Sequence, residues 1–469
     1  MFVFLLFSQS KPGSSLTEAN NVVEGKEFVF AIPRPYSNDQ ASPIRFGFST
    51  SGQSPVLVNI KVPADDFDET TTIIPTASAI FELVDGADNP VGYSDDETTL
   101  VHKYTIIITA TEDITVHGIT QYQASGFRQA GFTALPTPSL GTSYFVASYT
   151  PYEADKEAQF AVSALNERTT ITFARKDGVS GTVVLEPYET YQHYSLTDLT
   201  GTEIKSDKRI AVVSGLQVAK IPVDGTTNSV DNILEQLIPV CAWGHGPFVL
   251  APINYRSDVA YLYRVIASKA DTRVTISDGE TITLTDPGDY VERDVASNSE
   301  DARTVTADKP VMVLQYLKSG VTGQGYTDPE MIMIPELGQY MGDVSFPIID
   351  NSDGAVTYTQ YISVFLECRF RSGLMYDRTT EVSTSGDWTE VTTPDGEFCI
   401  IRSNNGIVTG DTLIHTFSHP DPTAKFLVLI SGFIWVRSHT HVAGFTFNGK
   451  CSAGKLKQYR VMLKPYDFL

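Results

Sequence analysis

Four histidines near the C-terminus have the residue type and spacing of a candidate metal site. His415 and His419 lie near the end of one strand-like run, and His439-Thr440-His441 lies on the next. An H-x-H pair on a strand places both imidazole rings on one face, where they could bind zinc or copper. No cysteine or carboxylate pattern completes such a site, so the alternative is that His415 and His441 are packed or edge residues with hydrogen-bonded ring nitrogens. We therefore predict no bound metal and no cofactor.

No complete catalytic motif is found in the chain. Gly47-Phe48-Ser49-Thr50-Ser51 lacks the last glycine of the G-x-S-x-G elbow of serine hydrolases, and no helix pattern follows it. A P-loop, an HExxH motif and a Gly-rich dinucleotide fingerprint are all missing from the sequence. Carboxylate pairs are too frequent for glycosidase logic to select one, because the separation that it needs is spatial. Asp207-Lys208 and Asp308-Lys309 recur at equivalent places, which favours structural turns. We predict that the protein is not an enzyme.

The charge balance excludes some classes of partner. The net charge is −22, from 34 basic and 56 acidic residues in a chain of 469. Such a surface repels phosphate backbones and anionic membranes, so we expect no nucleic-acid partner. The acidic clusters 65–69 and 95–97 could attract calcium, but neither has the spacing of an EF-hand loop, and solubility is the simpler explanation. No apolar run reaches the roughly 18 residues that a transmembrane helix needs.

The elements that must position these residues repeat about every hundred residues, a period typical of duplicated domains or propeller blades. Thr182-Val183-Val184-Leu185 returns as Thr281-Ile282-Thr283-Leu284, and Asp207 to Val213 returns as Asp308 to Leu314. Runs rich in Thr, Val, Ile and Tyr, bounded by Gly, Pro, Asn and Asp, indicate strand after short strand. The sequence therefore predicts an all-β fold of four consecutive β-sandwich-like modules of about 100 residues each.

Short Pro–Gly joints separate the predicted modules. Leu135-Pro136, Ile238-Pro239 and Ile334-Pro335 each lead within a few residues to a glycine and then to a new strand. Such joints indicate modules that are held in a fixed relation. The predicted bounds are a leader or truncated signal segment at 1–24, β modules at 25–134, 135–237, 238–333 and 334–450, and a basic tail at 451–469. Residues 2–7 could instead form a first strand.

One helix is predicted, as a two-turn element that joins two modules. Val230, Ile233, Leu234 and Leu237 are spaced i, i+3, i+4 and i+7, with Pro239 just past the end.

The cysteines are too few for a disulfide scaffold and lack zinc spacing. Cys241, Cys368, Cys399 and Cys451 permit three full pairings, and the sequence alone does not decide between them. If the chain is secreted, Cys368 and Cys399 are the favoured pair, because both lie on strand-like stretches of the fourth module.

Two tryptophans have side chains that could stack on a ligand. Trp243 lies inside the second Pro–Gly joint, where a tryptophan more often plugs a domain interface, and we favour that interpretation for it. Trp388 has no such context.

The second joint also carries a family resemblance. Glu235, Gln236, Leu237, Pro239, Trp243 and Gly244 lie in a segment that resembles the E-Q-L-x-P-x-x-x-W-G joint of the N-terminal domain of the IgG Fc-binding protein family. Three further passages match in the same order: Thr327 to Pro335, with Asp328 and Pro329, then Ser372 to Asp377, then Leu413 to Thr416. The resemblance covers roughly residues 25 to 450.

The chain also departs from the family pattern. A cysteine pair that commonly precedes E-Q-L is missing from 216–233, Arg378 stands where a glycine usually follows the turn aspartate, and no cysteine-dense region follows. The resemblance implies a secreted or cell-surface protein of mucus-like or adhesive matrices, with immunoglobulin binding among some vertebrate members.

Together these features predict a non-enzymatic extracellular interaction or adhesion protein that binds a protein or a glycan through loops or strand edges. The alternatives are a carbohydrate-binding or carbohydrate-active surface protein, and a structural spacer in a larger matrix protein. Carboxylates beside a tryptophan in a cleft would favour the carbohydrate alternative.

Overall fold

A computed structural model shows a protein built from strands. No helix of seven residues or more occurs in the part of the chain that the structure describes, which confirms the all-β class. The described residues are 23–34, 36, 40–41, 43–75, 79–85, 89–90, 100–123, 128–225, 229–253, 261–295, 301–322, 325–349, 359–384, 388–403, 407–408, 414–434, 437–447 and 451. Most of the predicted leader (1–24) and of the predicted basic tail (451–469) lies outside these residues.

The first sheet is organised around one long strand, which pairs with five others among the described residues. Its strands are β1 (Gly25–Phe30), β2 (Gln40–Ala41), β3 (Ile44–Ser49), β4 (Val56–Val62), β5 (Phe67–Ile73), β6 (Ala79–Asp85), β7 (Asn89–Pro90), the long β9 (Ile106–Gln123) and β10 (Arg128–Thr133). The main order is β5-β4-β9-β3-β6-β7, and β1, β2 and β10 also pair with β9.

The second sheet has eight strands and a similar long central strand, β16. It contains β8 (Val101–His102), β11 (Gly141–Phe145), β12 (Ala158–Ala164), β13 (Thr169–Ala174), β14 (Ser180–Leu185), β15 (Thr190–Ser195), β16 (Glu203–Ala219) and β17 (Asp231–Gln236). The main order is β14-β13-β16-β12-β15-β8, and β11 and β17 also pair with β16.

The next stretch of chain forms two four-stranded sheets, β18-β23-β20-β21 and β22-β19-β24-β27, with a small β25-β26 hairpin. The strands are β18 (Phe248–Leu250), β19 (Tyr261–Ala267), β20 (Thr272–Ile276), β21 (Thr281–Leu284), β22 (Tyr290–Val295), β23 (Arg303–Ala307), β24 (Val311–Leu317), β25 (Gly320–Thr322), β26 (Gly325–Thr327) and β27 (Glu330–Ile334).

The last stretch forms a four-stranded sheet, β28-β35-β30-β31, and a six-stranded one, β32-β33-β29-β36-β37, in which β34 pairs with β29. The strands are β28 (Asp343–Pro347), β29 (Thr359–Glu367), β30 (Met375–Tyr376), β31 (Thr380–Glu381), β32 (Trp388–Thr392), β33 (Phe398–Ser403), β34 (Ile407–Val408), β35 (Ile414–Ser418), β36 (Phe426–Ile434) and β37 (Arg437–Val442). The bounds of the four modules stay a prediction.

The helical turns are all short 3-10 elements, and three of them follow the prolines of the predicted joints. The six are Pro63–Asp65, Thr137–Ser139, Val240–Ala242, Leu337–Gln339, Cys368–Phe370 and Val382–Thr384. The joints pack closely against glycines upstream. A Cβ on Gly25 would lie 2.4 Å from Cβ of Pro136, and one on Gly141 would lie 2.5 Å from Cβ of Pro239. Because glycine has no side chain, the prolines of these two joints can pack directly against the backbone of Gly25 and Gly141.

The predicted linker helix is wrong. Residues Asp231–Gln236 form strand β17, which pairs with β16, and Leu237 continues as an extended joint. All six residues of β17 are buried, so the strand is covered on both of its faces. A strand buried on both sides loses its alternating pattern, and the apolar residues then fit a helical spacing by accident.

Strands from four of the sheets contact one another. Strands β10 and β17 contact each other, β27 contacts β17 and β37, and β37 contacts β10, so the four strands form a closed ring of contacts. We call this ring the central junction. Apolar packing is continuous through it, because one cluster of buried residues extends from Val23 to Phe447, while a second cluster lies within 344–443.

Candidate functional site

The E-Q-L segment lies in the central junction and holds its strands together. On β17, Gln236 Oε1 accepts a hydrogen bond from the backbone N–H of Leu135 at 2.9 Å, at the start of the first joint. Its neighbour Glu235 points the other way, and Oε1 accepts from the N–H of Met333 on β27 at 3.2 Å. Both side chains are buried. A buried N–H without a partner costs free energy, so Gln236 and Glu235 stabilise the neighbouring elements by accepting hydrogen bonds from their backbone N–H groups.

The rest of the joint is packed into the interior. Leu237 is fully buried, and the Trp243 indole donates from Nε1 to the carbonyl of Ile238 at 3.2 Å. The Trp243 ring lies 5.8 Å from the ring of Phe145, where an interface plug would be expected. At Gly244 a Cβ would lie 1.9 Å from the carboxyl carbon of Glu336, whose Oε2 accepts from the N–H groups of His245 and Gly246.

Asp328, which precedes Pro329, belongs to a buried group of carboxyls at the same junction. We define the acid cluster as Asp231, Asp328 and Glu330. Asp231 Oδ1 accepts from the N–H groups of Gln129 at 2.6 Å and Asn232 at 2.7 Å, and Asp328 Oδ1 accepts from the Ser229 hydroxyl. One oxygen of each of the three carboxyls, Asp231 Oδ2, Asp328 Oδ2 and Glu330 Oε2, is buried and has no hydrogen-bond partner among the residues that the structure describes.

Burial dominates the electrostatics of these groups. It raises the pKa of Asp328 and of Glu330 to about 7. Burial, and then the charge of Asp328, raise the pKa of Asp231 well above its usual value, and burial does the same for Glu235. Carboxyls in this environment hold their protons near neutrality. The adjoining cavity, lined by Asn232, Glu330 and Thr440 among others, is only about 10 Å³ and has no room for a ligand larger than water.

The four histidines of the candidate metal site do not converge. His439 and His441 are buried on β37, where burial lowers the pKa of His439 to about 3 and that of His441 to about 4. The ring of His441 lies 4.9 Å from that of His117 on β9, a neighbour that no spacing in the sequence indicates. No group of three or more His, Cys, Asp or Glu residues could hold a metal ion within the described ranges.

His415 and His419 lie instead beside the S-G-L-x-x-D turn. Nδ1 of His415 is 2.8 Å from Asp377 Oδ2 and 2.7 Å from the Tyr376 hydroxyl, and His419 Nε2 is 2.9 Å from the carbonyl of Ser372. Two passages that resemble the family, far apart in sequence, are therefore in contact. Leu413 of the later passage lies outside the described residues.

The backbone conformation of this turn explains why a glycine usually follows the turn aspartate in the family. Asp377 and Arg378 have φ angles of 48° and 56°, in the left-handed region that glycine adopts most readily. Arg378 stands there with its guanidinium 3.0 Å from Asp343 Oδ2.

An open cleft of about 790 Å³ lies where β1 and the first joint meet the loop after β12. Its polar lining includes Glu27, Asn166, Glu167, Asp207 and Lys208. Thr137 donates to Glu27 at 2.8 Å, and Asp207 accepts from the N–H of Thr170 at 2.8 Å. The cleft has the size of a small-ligand site, but its described lining includes no tryptophan.

The two Asp-Lys pairs form matched contacts in two sheets. Asp308-Lys309 lies between β23 and β24, whereas Asp207-Lys208, which the sequence predicted as a turn, lies within strand β16. Asp308 accepts from the N–H of Arg273 at 2.8 Å, as Asp207 does from that of Thr170. Each aspartate therefore accepts a hydrogen bond from the backbone of a neighbouring strand and not from its own segment.

Two disulfides join the cysteines. One links Cys368 to Cys399, and the other links Cys241, in the second joint, to Cys451, across 210 residues. The described residues contain no helix that is long and apolar enough to cross a membrane.

Comparison with known proteins points to one family. A family model described as "IgGFc binding protein" matches residues 130–431. The IgGFc-binding protein of Homo sapiens is 26% identical over 332 residues, which are 67% of this chain and 6% of that protein. The chain thus spans a small fraction of the length of this relative.

Solved structures add little. A structure from a bacterial ice-binding adhesin has 11% identity and a TM-score of 0.11, covering 67% of this chain and 98% of that one. A tandem repeat of a large adhesion protein has 12% identity and a TM-score of 0.10, covering 84% and 92%. Similarities with such low TM-scores are not evidence for the fold or the function of this chain.

Proposed function

The chain belongs to the IgGFc-binding protein family, and from that premise we propose that it is a non-enzymatic extracellular interaction protein of mucus or another adhesive matrix. The observation that carries the proposal is the burial of the residues that resemble the family most specifically. Glu235, Gln236 and Asp328 bind backbone or side-chain donors inside the central junction, and Trp243 is buried in the second joint. Groups used in this way hold a scaffold together and are not available to act on a substrate.

Secretion is part of this proposal. Two disulfides in the described residues fit an oxidising compartment, where such bonds persist. The partner is then an extracellular protein or glycan, and the name of the human relative makes the Fc region of immunoglobulin G the first protein to test.

The test is retention of partners from secreted mucus on the immobilised chain, with Fc and Fab fragments of immunoglobulin G added separately. A partner that stays bound through a high-salt wash supports an interaction protein, because a packed interface is less screened than surface charge. An unrelated acidic protein of similar charge is the control. Retention equal to that of the control would overturn the proposal and favour a structural spacer.

A second candidate, carbohydrate binding, is favoured by the 790 Å³ cleft. Its carboxylates, amide and hydroxyls match the donors and acceptors of sugar hydroxyl groups. The lack of tryptophan in the described lining weighs against it, because sugar sites commonly include an aromatic ring. A glycan array compares the chain with Glu167→Arg in the cleft and with Glu69→Arg on β5, an exposed control. Loss of glycan signals with Glu167→Arg alone would support this candidate, and equal signals for all three proteins would remove it.

A further inference from the structure

The two disulfides differ in how far their cysteines are exposed to solvent. Cys241, in the second joint, is exposed, and its partner Cys451 is partly exposed. In the other bond Cys399 is fully buried on β33, and Cys368 is partly exposed. Opening a disulfide by exchange requires a thiolate to reach one of the two sulfurs. An external thiol therefore has better access to the Cys241–Cys451 bond, from the Cys241 side.

A cation lies on the Cys451 side of the exposed bond. Nη2 of Arg209, on β16, donates to the carbonyl oxygen of Cys451 at 3.3 Å. The Nε group of Arg209 is buried and has no hydrogen-bond partner among the residues that the structure describes. A neighbouring guanidinium stabilises a thiolate. Since a more stable thiolate leaves faster in disulfide exchange, Cys451 is the favoured leaving group.

Both ends of the bond are held in place by contacts that do not depend on it. In the second joint, the Trp243 ring is buried. Near Cys451, Phe447 is buried in the main apolar cluster. The N–H of Thr446 donates to the carbonyl of Gln339 at 2.7 Å. Opening the bond therefore separates Cys451 from the second joint and leaves the chain up to Phe447 packed.

We propose that the Cys241–Cys451 bond is a redox latch, which external thiols open at the Cys241 sulfur while the fold remains intact. A thiolate forms a bond to Sγ of Cys241, the S–S bond breaks, and its electron pair leaves with Cys451 as a thiolate. A second thiolate then displaces Cys241 from the mixed disulfide. In sum, two external thiols become one disulfide and the chain gains two thiols.

The latch makes the attachment at Cys451 depend on the redox state of the surroundings. In an oxidising compartment the bond persists and ties Cys451 to the second joint. Where small thiols accumulate, this tie opens and the Cys368–Cys399 bond stays closed. Because the latch needs no protein or glycan partner, its failure and that of the proposed interaction are measured separately.

The experiment follows the four cysteines of the full chain during reduction without denaturant. Mercaptoethanol is the probe, since an uncharged thiol is not repelled by a chain of charge −22. Samples are quenched with iodoacetamide at intervals, and the modified peptides are quantified by mass spectrometry. We expect Cys241–Cys451 to open about tenfold or more faster than Cys368–Cys399. Early samples should carry mercaptoethanol on Cys241 and the iodoacetamide adduct on Cys451.

Three results would overturn the proposal. Equal opening rates for the two bonds would mean that opening requires unfolding of the whole chain, which exposes all four cysteines together. Earlier opening of Cys368–Cys399 would mean that exposure does not decide the order. A mixed disulfide that accumulates on Cys451 would place the attack on the wrong sulfur.

Arginine variants test the leaving group. Arg209→Gln should slow the opening of the latch several-fold, since the thiolate of Cys451 loses its neighbouring cation, and Arg209→Lys should restore most of the rate. Arg168→Gln removes an exposed arginine that pairs with Glu186 at 3.0 Å, and as the control it should leave the rate unchanged. A merely structural Arg209 would loosen the site when replaced and speed the opening. Unchanged or faster opening in Arg209→Gln therefore overturns the assigned leaving group.

Discussion

At the scale of single residues, Arg264 on β19 is the clearest case of a charge used as a structural link. Its guanidinium donates to the carbonyl of Ser148 at 3.0 Å and to Asp198 at 2.8 Å, and Nε donates to Glu292 at 2.8 Å. It also lies 4.5 Å from the ring of Tyr149. The guanidinium is almost fully buried and Asp198 is mostly buried, whereas Glu292 stays partly exposed.

Arg264→Ala should lower the free energy of unfolding by about 3 to 5 kcal/mol, because it leaves the partly buried Asp198 without its partner. Urea denaturation measures the loss. Arg293→Ala removes an arginine whose ion pair with Glu280 is far more exposed, and should cost about 1 kcal/mol or less. Equal losses for the two variants would contradict the structural role of Arg264.

The buried Trp243 ring gives a second prediction at this scale. Trp243→Ala should destabilise the protein by about 3 to 5 kcal/mol, since the cavity beside Phe145 cannot be refilled. Thermal unfolding is the measurement. Trp388→Ala, on the end strand β32, removes a tryptophan that is only partly buried and should cost less. Normal thermal stability of Trp243→Ala would contradict the interpretation that Trp243 fills an interface.

At the scale of elements, the central junction concentrates groups that sheets normally keep apart. Strand β17 brings Asp231 and Glu235, β27 brings Glu330 with Asp328 just before it, and β37 brings His439 and His441, next to His117 on the neighbouring β9. Burial favours the neutral form of each, which raises the pKa of the carboxyls and lowers that of the imidazoles. The junction is thus stable only while these groups are uncharged.

The carboxyls and the histidines should therefore change stability in opposite senses over overlapping pH ranges, so that these two limbs partly cancel between about pH 4 and pH 7. Asp328 and Glu330 contribute stability that is present below their usual pKa values of 3.8 and 4.5 and is lost as pH rises to about 7. The histidines act in the opposite sense, since stability is lost as pH falls from 6.5 to about 4 at His441. Urea midpoints across this range measure both limbs.

One substitution isolates the carboxyl limb. Glutamine resembles a protonated glutamate, so Glu330→Gln should regain on the order of 3 kcal/mol at about pH 8 and change little at about pH 4. Glu167→Gln, in the exposed loop after β12, is the control and should have no such pH dependence. If Glu330→Gln is less stable than the parent chain at the higher pH, the buried proton is not there.

At the scale of the whole molecule, the Cys241–Cys451 disulfide closes the longest loop. It joins residues 210 apart, whereas Cys368 and Cys399 are 31 apart. The end of the described chain is thereby tied to the second joint, near the buried Trp243. The second joint and the last described residue are thus held together by a covalent bond.

Removing the long-range bond should cost more than removing the short-range one. In the chain-entropy model, replacing both Cys241 and Cys451 by alanine lowers the free energy of unfolding by about 5 kcal/mol, against about 4 kcal/mol for Cys368 and Cys399. Denaturant unfolding of the two double variants, compared with the parent, gives the order. A larger loss for the short-range pair would mean that native-state packing, and not loop length, decides the effect.

The sequence by itself determined the features that depend on local pattern. Turn residues between short runs of Thr, Val and Ile specify strands wherever those runs stand, so the all-β class was predictable. The E-Q-L joint identified the family, because several of its residues match the family's joint at the same spacing. The Asp-Lys pairs were predicted as structural turns, but Asp207-Lys208 lies inside strand β16, and the partners of both aspartates could not be predicted.

Only the tertiary structure decided which distant residues meet. Gln236 bonds a residue 101 positions away and Glu235 one 98 positions away, and no local spacing encodes such contacts. The same burial removed the alternation from β17 and made a strand resemble a helix. His117 and His441 are neighbours for the same reason: packing at the central junction is set by how the sheets close on each other, and local residue patterns do not contain that information.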